Sequence, residues 1–166
     1  MASTYEPIAT TTLGSSNTAI TFSSISSAYT DLVIVANFML APSTNSDVYF
    51  YYNNDQSSLY SYTFVEGEGT TAVSGRTSNQ TKAYLDVAIY FNPASSSQPI
   101  TSIIQVQNYA NSTTYKTALS RNSQANRDTT AVVHLYRSTN AINRIDFGGT
   151  TFQTGTNITI YGIKAA

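Results

Sequence analysis

The chain has 166 residues, with eight Lys or Arg against nine Asp or Glu, a net charge of −1, one His, no Cys and no Trp. The lack of Cys excludes disulfide scaffolds, thiolate zinc sites and cysteine nucleophiles, and the near-neutral charge with scattered basic residues argues against nucleic-acid binding. Ser, Thr and Asn supply 61 residues, whereas only 10% of the chain is charged. Charged helix formers are therefore scarce, while 13 Tyr, 7 Phe and many Thr suit strands, so the composition predicts an all-β protein.

Alternating apolar and polar residues, bounded by Ser, Asn, Gly and Pro clusters, recur along the chain and predict about ten strands. In chain order these are 7–13, 19–22, 32–38, 47–52, 59–64, 83–91, 100–109, 114–120, 130–137, 142–147 and 157–164. No window of a dozen residues carries a helical apolar stripe, so little or no helix is expected. We predict a single domain over 1–166, an antiparallel two-sheet β-sandwich with jelly-roll-like topology.

Two of these strands have distinctive faces. In 83–91, alternate residues from Ala83 to Phe91 are all apolar, which is typical of a sheet with one face on the core. In 32–38 both faces are apolar, because Leu32 and Ile34 alternate with Val33 and Val35. This second pattern predicts a central strand that is covered on both sides.

Two connections are predicted to be long, 66–81 and 92–98. The first holds three Gly and almost no large apolar residue, and the second is similarly polar. Long loops at the ends of a sandwich often carry binding sites, but they also collect neutral variation. Both interpretations stay open at this point.

His134 is the one residue that could serve a Ser/His/Asp triad, which needs an imidazole oriented by a carboxylate. It falls within a predicted strand, on the same face as Val132 and Tyr136, and the chain has no G-x-S-x-G elbow to present a serine. The pattern favours a strand histidine that is either packed in the core or faces the surface, and no catalytic residue is predicted.

Metal and carboxylate chemistry receive little support. Calcium is the one cation that oxygen-rich Asn53, Asn54 and Asp55 could bind, but their spacing lacks the terminal bidentate Glu of a twelve-residue calcium loop, so a turn is the simpler interpretation. A glycosidase would need two facing carboxylates, and Glu66 with Glu68 is interpreted as a solvated loop tip. Asp86 is interpreted as facing water. We predict no enzyme activity, no metal and no cofactor.

The aromatic residues are a stronger lead towards an interface. Tyr49 and Tyr51 lie in one aromatic run, and Tyr60 and Tyr62 follow in the next predicted strand. Exposed tyrosines supply large contact area at low entropic cost, which suits a protein interface or a sugar platform. Tyrosines buried in the core are the alternative, and the sequence leaves the choice open.

The N-terminal 12 residues have neither a basic segment nor an apolar segment, so we expect no secretory signal. The longest purely apolar stretch, 32–36, is far shorter than the roughly 20 residues that a membrane helix needs, so no membrane association is expected.

Several segments spread over most of the chain resemble small virion proteins of tailed bacteriophages, of the type found in marine and cyanobacterial phages. They are 5–14 (YEPIATTTLG), 20–25 (ITFSSI), 29–35 (YTDLVIV), 108–110 (NYA), 112–116 (STTYK), 136–142 (YRSTNAI) and 160–165 (IYGIKA). The resemblance implies a structural protein of the virion, made in the host cytoplasm, and brings no catalytic residues with it. A Cys-free chain fits assembly in that reducing compartment.

Two positions on the particle follow from this resemblance. The first is a capsid decoration or cement protein, a homotrimer that binds the major capsid protein or another virion protein and bridges capsomers. In that role residues 1–7 are expected to form an N-terminal arm, with Tyr5, Glu6 and Pro7 and the four tyrosines above as interface residues. The second is a tail fibre or knob module that binds a host receptor or glycan through loops 53–58 and 66–81.

Overall fold

Twelve strands and no helix make up the part of the chain that the computed structural model describes, residues 5–42, 46–86, 98–125 and 127–164. The first six strands are β1 (Tyr5–Thr12), β2 (Asn17–Phe22), β3 (Asp31–Phe38), β4 (Val48–Tyr52), β5 (Tyr60–Glu68) and β6 (Thr71–Gln80). The others are β7 (Ala83–Tyr84), β8 (Ile100–Gln107), β9 (Lys116–Gln124), β10 (Asp128–Tyr136), β11 (Ile145–Phe152) and β12 (Asn157–Ile163). These residues contain no helix that could cross a membrane.

The strands form two antiparallel sheets of unequal size that pack against each other. The large sheet has eight strands in the order β1-β12-β3-β8-β9-β10-β5-β6, and the small sheet has four in the order β2-β11-β4-β7. The prediction of an all-β, two-sheet sandwich is therefore confirmed, with twelve strands where the sequence predicts about ten.

The core between the sheets is built on aromatic rings. Phe147 on β11 lies 6.4 Å from the ring of Phe22, 6.0 Å from Phe38 and 6.0 Å from Phe50, measured between centroids. Such pairs at 4.5–7 Å are favourable beyond the area they bury. Three strands of the small sheet, β2, β4 and β11, are thus joined to β3 of the large sheet through one residue.

The predicted loop 66–81 is wrong, because these residues form most of a β-hairpin. β5 continues to Glu68, the chain turns at Gly69 with a φ of 55°, and β6 pairs with β5 from Thr71 to Gln80. β6 is an edge strand on which no side chain is fully buried, so nothing selects for alternating apolar residues. Backbone hydrogen bonds to β5 hold β6 in place. Because such bonds do not require apolar side chains, they leave no pattern in the sequence.

Two other predictions change in the structure. β3 is central, but only the face with Leu32, Ile34 and Phe38 is fully buried, whereas Val35 on the other face is 37% exposed. The prediction that both faces are covered is therefore wrong at Val35. For 83–91 the described part is β7 with Leu85 and Asp86, and positions 87–91 and most of 92–98 lie outside the described residues.

Candidate interaction surface

The face of the large sheet that points away from the small sheet carries a row of apolar residues that Arg121 interrupts. Across the sheet, register places Val35 beside Ile103, Ile103 beside Arg121, Arg121 beside Ala131, and Ala131 beside Val65. We call the outward-pointing residues of this sheet the outer face. Its apolar residues include Val65, which is 59% exposed, Val133, which is 53% exposed, and Ile103, which is 37% exposed.

The outer face is large enough to hold a folded partner. Eight strands about 4.8 Å apart and roughly eight residues long give a face of about 34 by 25 Å, or about 850 Å². A stable protein interface buries roughly 800 Å² on each partner. Two shallow depressions of about 600 and 430 Å³ lie on this face, the larger beside Gly67, Ala72 and Ala131, where small side chains leave room.

The predicted N-terminal interface residues divide between two environments. Tyr5 and Pro7 belong to β1 and pair with Ile163 and Tyr161 of β12, so they are part of the sheet edge and not an arm. Tyr5 is 54% exposed and shares the outer face. Glu6 lies on the opposite side of β1, where it forms an ion pair of 3.2 Å with Lys164. Residues 1–4 of the predicted arm lie outside the described residues.

The interpretation of Tyr60 and Tyr62 as interface residues is wrong, because the side chains are 1% and 8% exposed. The Tyr60 ring stacks on Tyr136 with centroids 4.8 Å apart, and its hydroxyl accepts a bond from the Tyr52 amide and donates to the carbonyl of Asp55. Burial raises the pKa of Tyr60. Both tyrosines point inwards because β5 packs its even-numbered residues against the small sheet.

Tyr49 and Tyr51 lie half-buried on the outward side of the small sheet, as members of a closed aromatic group. The ring of Tyr49 packs edge-on against Tyr84 at 5.7 Å, and the Lys82 ammonium lies 3.9 Å from its centroid. The same ring covers Gly148, where a Cβ would approach it to 2.8 Å. These contacts occupy much of the surface that Tyr49 could offer to a partner.

His134 is packed in the core, which is one of the two placements that the strand pattern allows. It is 2% exposed, its ring packs edge-on against Phe50 at 5.2 Å, and its Nε2 lies 3.0 Å from Ser120 Oγ. Burial lowers the pKa of His134 to about 3. This Ser–His pair lies between the sheets, where a substrate does not reach it, and no described residue forms a hydrogen bond with Nδ1.

The turn interpretation of Asn53, Asn54 and Asp55 is confirmed. Asn53 and Asn54 have φ values of 54° and 56°, which these residue types tolerate well. The Asn53 side-chain oxygen accepts bonds from the amides of Asn143 and Arg144, and Asp55 accepts one from Ser57. The side-chain oxygens of Asn53 and Asp55 thus accept hydrogen bonds that fix the turn.

The acidic residues near the β5–β6 turn are more buried than the sequence suggests. Glu66 is 3% and Asp86 is 1% exposed, so the interpretations of a solvated loop tip and of a water-facing aspartate are wrong for them. Glu68 remains partly exposed and forms a 3.3 Å ion pair with Arg127. Among the described residues, no three His, Asp or Glu side chains are grouped as a metal site would require.

Asp128 is buried at this end of the large sheet, directly across from Glu68 and next to Arg127. Burial first, and then the charge of Glu66, raises its pKa to about 6. At pH 7 Asp128 is charged in both states, and its charge is less favourable in the folded protein than in the unfolded chain. This residue therefore lowers the free energy of unfolding.

We expect the substitution D128N to raise the free energy of unfolding at pH 7 by about 1 kcal/mol, since Arg127 and nearby solvent offset part of the burial cost. The folded-state pKa lies above the unfolded value, so the gain is complete above pH 6 and disappears as pH falls towards 4. Urea denaturation at several pH values measures it. E6Q, at an exposed ion pair, is the control and should change stability by less than about 0.5 kcal/mol.

Comparison with protein-family models, with curated proteins and with solved structures found no match for this chain. The residues of the candidate surface are therefore the basis for a functional proposal. Sequence reasoning does not single out Arg121 or the outer-face valines, because strands β9 and β10 carry apolar residues on both sides. The signal that could have found them is the apolar pair Leu119 and Val133, which face each other across β9 and β10.

Proposed function

We propose that this chain is a structural protein of a bacteriophage virion, most specifically a capsid decoration protein that binds the outside of the major capsid shell and bridges capsomers. It is made in the host cytoplasm and joins the particle there. The resemblance to phage virion proteins supports the phage assignment, and the outer face supports a role based on surface contact. That face is the observation on which the proposal depends most.

The outer face is suited to permanent burial against another protein. Monomeric soluble proteins rarely expose contiguous apolar patches of more than a few hundred Å². Here apolar side chains on five neighbouring strands, β3, β8, β9, β10 and β5, are at least partly open to solvent and run across the middle of an eight-stranded sheet. A decoration protein buries such a face on the shell and keeps the small sheet outwards.

The same fold could serve as a tail fibre or knob module that binds a host glycan. One observation favours this second candidate, the half-buried tyrosine group of Tyr49, Tyr51 and Tyr84 on the outward side of the small sheet. The loop part of that hypothesis is weaker, because 66–81 forms a strand hairpin and 53–58 is held by its own hydrogen bonds. We therefore place capsid decoration first.

A cryo-EM reconstruction of the intact virion that encodes this chain tests the proposal. We expect density for the sandwich at regular lattice positions on the head, with the outer face of the large sheet against the shell. Density confined to the tail or to a single vertex would favour the tail module, and absence of the chain from purified particles would overturn both.

A further inference from the structure

The Lys and Arg side chains that have no partner within the described part of the chain lie on the outer face. Of the eight Lys and Arg residues, six contact groups of their own chain. These contacts are Lys82 with Tyr49, Lys116 with two carbonyls, Arg127 with Glu68, Arg137 with Ser61 and Asn79, Arg144 with Asp146, and Lys164 with Glu6. The side chains of Arg76 and Arg121 form no ion pair or hydrogen bond with the described residues, and both belong to the outer face.

Arg121 is at the centre of that face. It belongs to β9, the fifth of the eight strands, and its cross-strand neighbours on the two sides are Ile103 and Ala131. Arg76 is three strands away on β6, which places it about 16 Å from Arg121. A partner that covers the face must therefore neutralise a guanidinium that lies between Ile103 and Ala131, because burying it unpaired would be strongly unfavourable.

Among the residues that the structure describes, no side-chain carboxylate is left over with which a second copy could do this. The nine side-chain carboxylates are either buried or already engaged. Glu66, Asp86, Asp128 and Asp146 are buried, Glu6 and Glu68 form ion pairs, Asp31 and Asp55 accept amide hydrogen bonds, and Asp47 is partly buried with its Oδ1 closed to solvent. Two copies joined symmetrically through their outer faces would also bring the Arg121 residues towards each other.

We infer that the outer face binds a different protein, one whose surface presents an Asp or Glu carboxylate to Arg121 within a ring of apolar side chains. A second carboxylate of that partner, about 16 Å away, would meet Arg76. Planar bidentate pairing suits arginine to this task. The inference rests on the proposed function and deepens it, because it specifies the chemistry of the shell protein at the contact.

The most direct test uses the substitution R121K followed by zero-length carbodiimide coupling. The reagent activates a carboxylate, and the amine of the introduced lysine displaces the activating group to form an amide, with the carbodiimide leaving as its urea. Purified particles that carry the variant are coupled and digested, and the linked peptides are sequenced by mass spectrometry. We expect position 121 to be joined to an Asp or Glu of another virion protein.

Binding measurements with purified protein and particles assembled without it provide the second readout. R121Q should bind at least tenfold more weakly than wild type and R121E more weakly still. K82Q makes the same charge change as R121Q, but beside Tyr49 of the small sheet, and should bind as wild type does. Circular dichroism confirms that each variant is folded. Unchanged binding by R121E would overturn the inference while leaving the proposed function intact.

The remaining outcomes also decide between the two proposals. A link from position 121 to a second copy of this chain would overturn the choice of partner. No link from position 121, in particles where Lys164 is coupled, would overturn the carboxylate contact. If the wild-type chain is absent from particles, the proposed function fails. The inference is then tested by the same coupling in extracts of infected cells. A link between the introduced lysine and a carboxylate of another protein supports it, and no such link overturns it.

Discussion

Replacing Phe147 by alanine should lower the free energy of unfolding by about 3–5 kcal/mol, among the largest effects of a single core truncation. Phe147 is 1% exposed and contacts the rings of Phe22, Phe38 and Phe50, so it joins three strands of the small sheet to the large one. Its removal takes away apolar contacts and leaves a cavity that rigid sheets do not easily close. Urea denaturation followed by circular dichroism at pH 7 measures the loss.

The matched control removes a side chain from the opposite side of the large sheet. V65A should change the free energy of unfolding by less than about 0.5 kcal/mol in the isolated protein, since Val65 is 59% exposed. A loss for V65A as large as that for F147A, growing with protein concentration, would mean that the outer face is covered by a second copy in solution.

The sequence predicts most of the sandwich because period-2 alternation is strong in strands that have one covered face. Strands such as β3, β8 and β12 begin and end within a few residues of their predicted bounds. The sequence does not predict β6, because an edge strand that consists mostly of Thr, Ser, Gly and Asn has no alternating apolar residues. Its backbone hydrogen bonds to β5 hold it in place, and hydrogen bonding of this kind has no side-chain signature.

The candidate surface is harder to predict, for a specific physical reason. In β9 and β10 the usual rule is partly inverted, since Ser120, Asn122 and Thr130 point into the core while Leu119 and Val133 point outwards. The assumption that apolar residues point into the core therefore places the wrong side of these strands in the core. Only the burial of neighbours such as Val132 and Tyr136 fixes the correct orientation.

The tyrosines illustrate the same limit. Tyr49, Tyr51, Tyr60 and Tyr62 are chemically alike and lie on adjacent predicted strands, yet two are half-buried and two are in the core. Which side of a strand is inward depends on how the two sheets pair, and one residue of register reverses it. Likewise, the sequence shows eight Lys and Arg residues, but it does not show that only the side chains of Arg76 and Arg121 lack an ion pair, a hydrogen bond and an aromatic contact with the described residues.

Acid should destabilise the protein through His134. Burial lowers its folded-state pKa to about 3, whereas an unfolded histidine titrates near 6.5. Below pH 6.5 the unfolded chain therefore binds a proton that the folded protein does not bind, and stability falls as pH falls. The loss through this residue is about 2.5 kcal/mol between pH 6 and pH 4.

The substitution H134L isolates this contribution from the other acidic groups, including Asp128, whose raised pKa acts in the opposite direction over the same range. The variant cannot take up the proton, so its stability relative to wild type should improve by about 2.5 kcal/mol between pH 6 and pH 4. S120A is the matched control, because it removes the Ser120 to His134 hydrogen bond without removing the titrating group. Its difference from wild type should stay constant with pH. If H134L showed the same constancy, the imidazole would be open to water in the folded protein, and the packing of β10 against the small sheet would have to be revised.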